Sequence, residues 1–80
     1  MPAPDTARMM RIGQAAKAAG VSKQTIEYYL MLGLIDPITP PGKRSRFFDE
    51  RLVKRIRLIH ELNDSGYTLR EIRQTWMRSR

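Results

Sequence analysis

The stretch from residue 12 to residue 35, IGQAAKAAGVSKQTIEYYLMLGLI, constrains the fold more than any other part of the chain. It reads as a short helix, a glycine turn and a second helix. Ala16, Gly20 and Ile26 follow one another at offsets of four and six, the spacing a helix-turn-helix needs. A small residue at 16 lets the second helix cross close to the first. A glycine at 20 adopts the left-handed backbone that such a turn requires. An apolar residue at 26 closes the contact from the other side. The second helix is then free to lie in a DNA major groove.

Local signals set the helix ends. The first helix is expected from Gly13 to Ala19, with Ile12, Ala15, Ala16 and Ala19 facing inward at the helical period. Ser22 is a good N-cap, since its hydroxyl accepts from a free backbone N–H. The second helix is expected from Lys23 to about Leu32, with Gly33 just past its end. Ten residues of helix span about 15 Å, enough to cross a groove about 12 Å wide.

The segment DPITPPGKRSRFF carries four prolines and glycines, which rule out a helix. Ile38 and Phe47 or Phe48 are placed to flank a small hairpin with Pro40-Pro41-Gly42 at its tip. This is the expected wing, with Lys43, Arg44 and Arg46 at its basic end. Asp49 caps a third helix over about Glu50 to Asp64. Its inner stripe is read as Leu52, Ile56, Ile59 and Leu62, with Val53 at the edge. Glu50–Lys54 and Arg57–Glu61 are spaced i,i+4, as ion pairs on a helix surface are. Gly66 ends this helix. Thr68 and Glu71 form a capping box for a fourth helix from Leu69 to about Met77, with Leu69, Ile72 and Trp76 inward. The expected fold is predominantly α-helical, a winged helix-turn-helix in the order helix, helix, β-hairpin wing, helix, helix.

Composition narrows the function. Eighty residues make one small domain. The start, MPAPDTARMM, is expected as a flexible tail over 1–10, with the folded domain over 11–80. There is no cysteine, so disulfides and thiolate–zinc sites are excluded. His60 is the only histidine, and no metal or other cofactor is expected. No apolar run approaches the roughly 18 residues of a membrane span. The expected location is the cytoplasm, at the nucleoid. The net charge is +7, which on this scaffold points to nucleic acid. No nucleophile motif, phosphate-binding glycine loop or paired histidine and carboxylate is present, so an enzyme is not expected.

The runs RIGQAAKAAGVSKQTIEYYLMLGLI and RFFDERLVKRIRLIHELNDSGYTLREI resemble the N-terminal DNA-binding domain of the MerR family of mercury-resistance-type regulators. The likeness covers about residues 11 to 75. It rests on the IG-AA start, GVS, T-I-x-YY, GLI, the basic wing and the G-x-T-L-x-E-I close. The resemblance implies a bacterial transcription regulator that binds double-stranded DNA in pairs and distorts a promoter spacer. Carried over by position, Ser22, Lys23, Gln24 and Thr25 open the recognition helix. Tyr28 and Tyr29 match the family's tyrosine pair, and Arg46 and Phe48 its wing motif. Gln24 suits a bidentate contact to adenine, and Lys23 a guanine or a phosphate. Thr25 and Tyr28 suit phosphate oxygens, and Lys43, Arg44 and Arg46 supply salt-dependent affinity. Arg57 is carried over as a backbone contact through a second wing. Tyr29 reads as packing ahead of contact.

The sequence departs from the family at three places. Glu27 stands where arginine is usual; exposure to solvent or pairing with Lys23 is expected for it, with acceptance from a cytosine amine as the other reading. Leu30 and Met31 replace charged residues, and at least one is expected to be exposed as a protein contact. The family's dimerising helix and effector domain have no counterpart within the 80 residues, so no small-molecule effector is expected to act through this chain. It reads either as an excised domain or as a small regulator that self-associates on DNA. Two other functions fit the pattern: an excisionase-like protein that bends DNA, and an adaptor that binds a protein partner through Leu30 and Met31.

Overall fold

A computed structural model describes residues 9–76. Four helices follow one another: α1 (Ile12–Ala19), α2 (Lys23–Met31), α3 (Glu50–Asp64) and α4 (Leu69–Thr75). Capping explains where they start. The Ser22 hydroxyl accepts from the N–H of Thr25 at 3.1 Å. Asp49 Oδ1 accepts from the N–H of Leu52 at 3.0 Å. Thr68 and Glu71 bond reciprocally, at 2.8 and 3.0 Å, as a capping box. Each such cap contributes about 1 kcal/mol.

The ends share a second device. After α1 the N–H of Val21 reaches Ala16 O at 3.0 Å and that of Gly20 reaches Lys17 O at 3.2 Å. After α2 the N–H of Leu34 reaches Tyr29 O at 2.9 Å and that of Gly33 reaches Leu30 O at 3.1 Å. Each is a Schellman closure, which needs a left-handed residue at its pivot. Gly20 and Gly33 provide it with φ of 76° and 78°. The closures turn the chain within two residues, so α1 and α2 stay in contact.

The core forms where the helices meet. Ala15 and Ala16 of α1 let α2 approach, and Ile26 fills the gap beneath with no exposed surface. Phe48, Ile56, Ile59 and Ile72 are also fully buried, joined by Tyr29, Leu34, Ile35 and Val53. α1 packs against α2 and α3, and α3 against α4. Full burial of such a side chain is worth about 1.5–3 kcal/mol, so this cluster holds the second helix in place.

Several details differ from the sequence reading. The regular β-hairpin wing is not formed among the described residues. Antiparallel pairing is confined to two isolated bridges, Ile38 with Phe47 and Met10 with Phe48. The loop is still closed: Ile38 and Phe47 exchange bonds of 2.8 and 2.9 Å, and Lys43 N donates to Pro40 O at 3.1 Å around Pro41 and Gly42. Proline in second place and a positive-φ glycine in third make this a type II turn. The prolines on one arm lack N–H donors, which keeps the pairing short. Met10, expected in the tail, exchanges two 2.8 Å bonds with Phe48. The rest of the expected tail, residues 1–8, and the expected end of α4 at Met77 lie outside the described residues.

On α3, Val53 is buried rather than at the edge, while Leu52 and Leu62 are only partly covered. The stripe is rotated because Val53, Ile56 and Ile59, three apart, turn toward α1 and Phe48. Trp76 does not face inward. It caps α4 at 48% exposure, past the last helical turn, and meets Tyr67 edge-on with ring centres 6.2 Å apart. No described helix is long and apolar enough to cross a membrane.

Candidate nucleic-acid interface

The exposed face of α2 is one continuous stripe. Lys23, Gln24, Glu27, Tyr28 and Met31 are all exposed, and their spacing puts them on one side of a helix. Ile26 and Tyr29 point the other way, into the core. The same helix therefore presents polar groups outward while its back face anchors it.

Of the residues expected to touch DNA, Lys23 and Gln24 lie open at the start of this stripe. The Ser22 hydroxyl is occupied by the cap and by Thr25 Oγ1, 2.9 Å away. Thr25 is half-buried. Tyr28 stands 47% exposed, whereas Tyr29 is 3% exposed. Burial raises the Tyr29 hydroxyl above its ordinary pKa. This separates the tyrosine pair into an outer and an inner ring, with Tyr29 in the packing role. Leu30 is partly buried against the core, and Met31, at 73% exposure, is left to the solvent.

The loop after α2 adds charge beside the stripe. Lys43 and Arg44 are exposed. Arg46 reaches back to α2, where Nη1 donates to Glu27 Oε1 at 3.2 Å and Nη2 to Oε2 at 2.9 Å. Glu27 is thus paired with Arg46, in place of the Lys23 expected from the helix period. The Arg46 hydrogen bonds hold the Glu27 carboxyl below the usual carboxylate range, opposed by desolvation and helped to a smaller extent by the charges of Arg46 and Lys23. In return Glu27 raises the arginine. Arg57 Nη2 donates to Ala18 O at 2.8 Å, fastening α3 to the carbonyl end of α1, where a cation is favoured.

Three arginines escaped the sequence reading. Arg11 lies over the ring of Phe47, 5.1 Å from its centre. Arg70 and Arg73 line an open cleft of about 550 Å³ with Tyr28, Leu32 and Leu69. A Cβ at position 33 would stand 3.4 Å from Arg73 Nε, so Gly33 also makes room for that side chain. The i,i+3 spacing of Arg70 and Arg73 on one helix face is visible in the sequence. Their approach to Tyr28 depends on how α4 packs. Among the described residues no three histidine, cysteine or acidic side chains gather as a metal site.

A glycine-pivoted helix pair, with the second helix buried on one side and carrying a polar stripe beside a basic loop, defines a helix-turn-helix protein. The family follows from comparison. The chain belongs to the MerR HTH family of regulatory proteins, whose model matches residues 10–77. It is 40% identical over 62 residues to the mercuric resistance operon regulatory protein of Bacillus cereus, across 78% of this chain and 47% of that one. It is 35% identical over 69 residues to the HTH-type transcriptional regulator CueR of Bacillus subtilis, across 86% and 48%. It is 34% identical over 65 residues to the regulator HmrR of Sinorhizobium medicae, across 81% and 44%. The chain therefore spans less than half the length of each of these relatives.

Proposed function

We propose that this chain is the double-stranded DNA-binding part of a bacterial transcription regulator, working in the cytoplasm at the nucleoid. The reading is carried by one observation: α2 is clamped on its inner face by Ile26 and Tyr29 and offers Lys23, Gln24, Glu27 and Tyr28 outward. α2 enters the major groove, where Lys23 and Gln24 address base edges and Tyr28 addresses phosphate. The loop over 36–48 acts as the wing. Lys43 and Arg44 lie on the sugar-phosphate backbone and supply counterion-release affinity, and Arg46 lies between the wing and α2. Ser22 and Thr25 position the helix start. Arg57 acts through the α1–α3 tie, at the edge of the DNA surface. Two copies associate on DNA.

The test is selection of fragmented genomic DNA by the purified chain at physiological salt, followed by sequencing. Enrichment of an inverted or direct repeat supports the reading, and Lys23→Ala or Gln24→Ala then relaxes preference at defined bases. Recovery of unselected DNA overturns it. Met31, exposed at 73% beside the stripe, favours one further reading, contact with a protein partner such as a neighbouring copy on DNA. Met31→Glu then weakens binding to paired sites while single-site affinity stands.

A further inference from the structure

Glu27 occupies the middle of the outward stripe, four residues after Lys23 and three after Gln24. A lone carboxylate in a DNA groove faces phosphates on both strands and is pushed away. Here it is not alone. Arg46, from a loop 19 residues distant, grips both of its oxygens, neutralising the charge and fixing the plane of the carboxylate. The grip leaves capacity on both partners. An ionised carboxylate has about four acceptor sites, and a guanidinium has five donors; the pair uses two of each. The Glu27 side chain keeps 53% of its surface exposed and that of Arg46 41%.

We propose that Glu27 is a specificity-determining residue that reads a cytosine amine, and that Arg46 is the positioning residue that holds it for that contact. The inference rests on α2 lying in the major groove. A carboxylate only accepts hydrogen bonds. Cytosine shows a lone amine donor on its groove edge. Guanine shows two acceptors, thymine an acceptor and a methyl, and adenine a donor beside an acceptor. Guanine and thymine are therefore repelled, and adenine is half repelled. Rejection supplies as much of the choice as attraction does. The remaining N–H groups of Arg46 suit a phosphate of the same nucleotide step.

The experiment takes the sequence recovered by genomic selection and places each of the four bases in turn at every position. Affinity of the purified chain is read by fluorescence anisotropy at physiological salt. At one position the wild-type chain prefers cytosine about tenfold or more over the others. Glu27→Gln moves that preference to adenine, because an amide offers both a donor and an acceptor. Glu27→Ala flattens it. Arg46→Lys keeps the charge and loses the two-pronged grip, so cytosine preference at that position falls several-fold, by more than any loss of affinity for unrelated DNA. Glu27 is exposed, so these variants keep the wild-type circular dichroism. Two results overturn the inference: an unchanged base profile in Glu27→Gln, or uniformly tighter binding to every duplex, which makes the pair a mere restraint on Arg46. A wild-type chain with no base preference anywhere overturns the DNA reading itself, and is distinguishable at the first step.

Discussion

Tyr28 and Tyr29 are chemically identical neighbours with opposite fates, and the difference carries a pH dependence. Burial raises the folded-state pKa of Tyr29. Between the unfolded and folded values the unfolded chain has lost its proton and the folded chain keeps it. Stability is therefore fully present below the ordinary tyrosine value of about 10 and falls as the pH rises above it. Chemical denaturation across alkaline pH is expected to show this decline, and Tyr29→Phe to reduce it. Ser22 offers a second test at this scale. Its hydroxyl holds the first turn of α2, so Ser22→Ala is expected to remove about 1 kcal/mol. For a domain of this size that lowers the melting temperature by roughly 4–8 °C, readable by circular dichroism.

At the scale of the element, what is legible in the sequence is what is local. The starts of α2, α3 and α4 follow from Ser22, Asp49 and Thr68, whose caps reach only three residues along the chain. The glycine pivots at 20 and 33 are equally local. The misses are long-range. Arg46 crosses 19 residues to Glu27, and Arg57 crosses 39 to Ala18; no helical period encodes either partner. Trp76 continues the spacing of Ile72 and on that pattern faces inward, but α4 ends at Thr75 and the ring at the C-cap turns to Tyr67. The wing is legible as a turn and not as a pair of strands, since prolines delimit the loop and also deprive it of donors. The pivot gives a prediction. Gly20 has open space around it, so Gly20→Ala meets only backbone strain, about 1–2 kcal/mol. Its melting curve should shift while its DNA sequence preference stays the same.

At the scale of the whole molecule, the apolar cluster and the basic surface act as separable parts. Ile56 has no exposed surface and joins α3 to the core, so Ile56→Ala is expected to cost about 2–5 kcal/mol. A domain this small is marginal to begin with, and thermal melting should show much of the chain unfolded near physiological temperature. Lys43 and Arg44, by contrast, stand clear of the core. Replacing both with alanine should leave the melting temperature unchanged and reduce the dependence of log affinity on log salt by about 0.9 for each phosphate no longer neutralised.

The two bridges fall on adjacent residues, Phe47 and Phe48, one toward Ile38 and the other toward Met10. That single link joins the lead into α1, the exit from α2 and the start of α3. The portable unit is consequently larger than the α1–α2 pair. A chimera that exchanges only residues 12–35 with a relative inherits a foreign latch at both seams. One that exchanges residues 10–59 carries its own fastening, and is the recombinant expected to keep both fold and target choice.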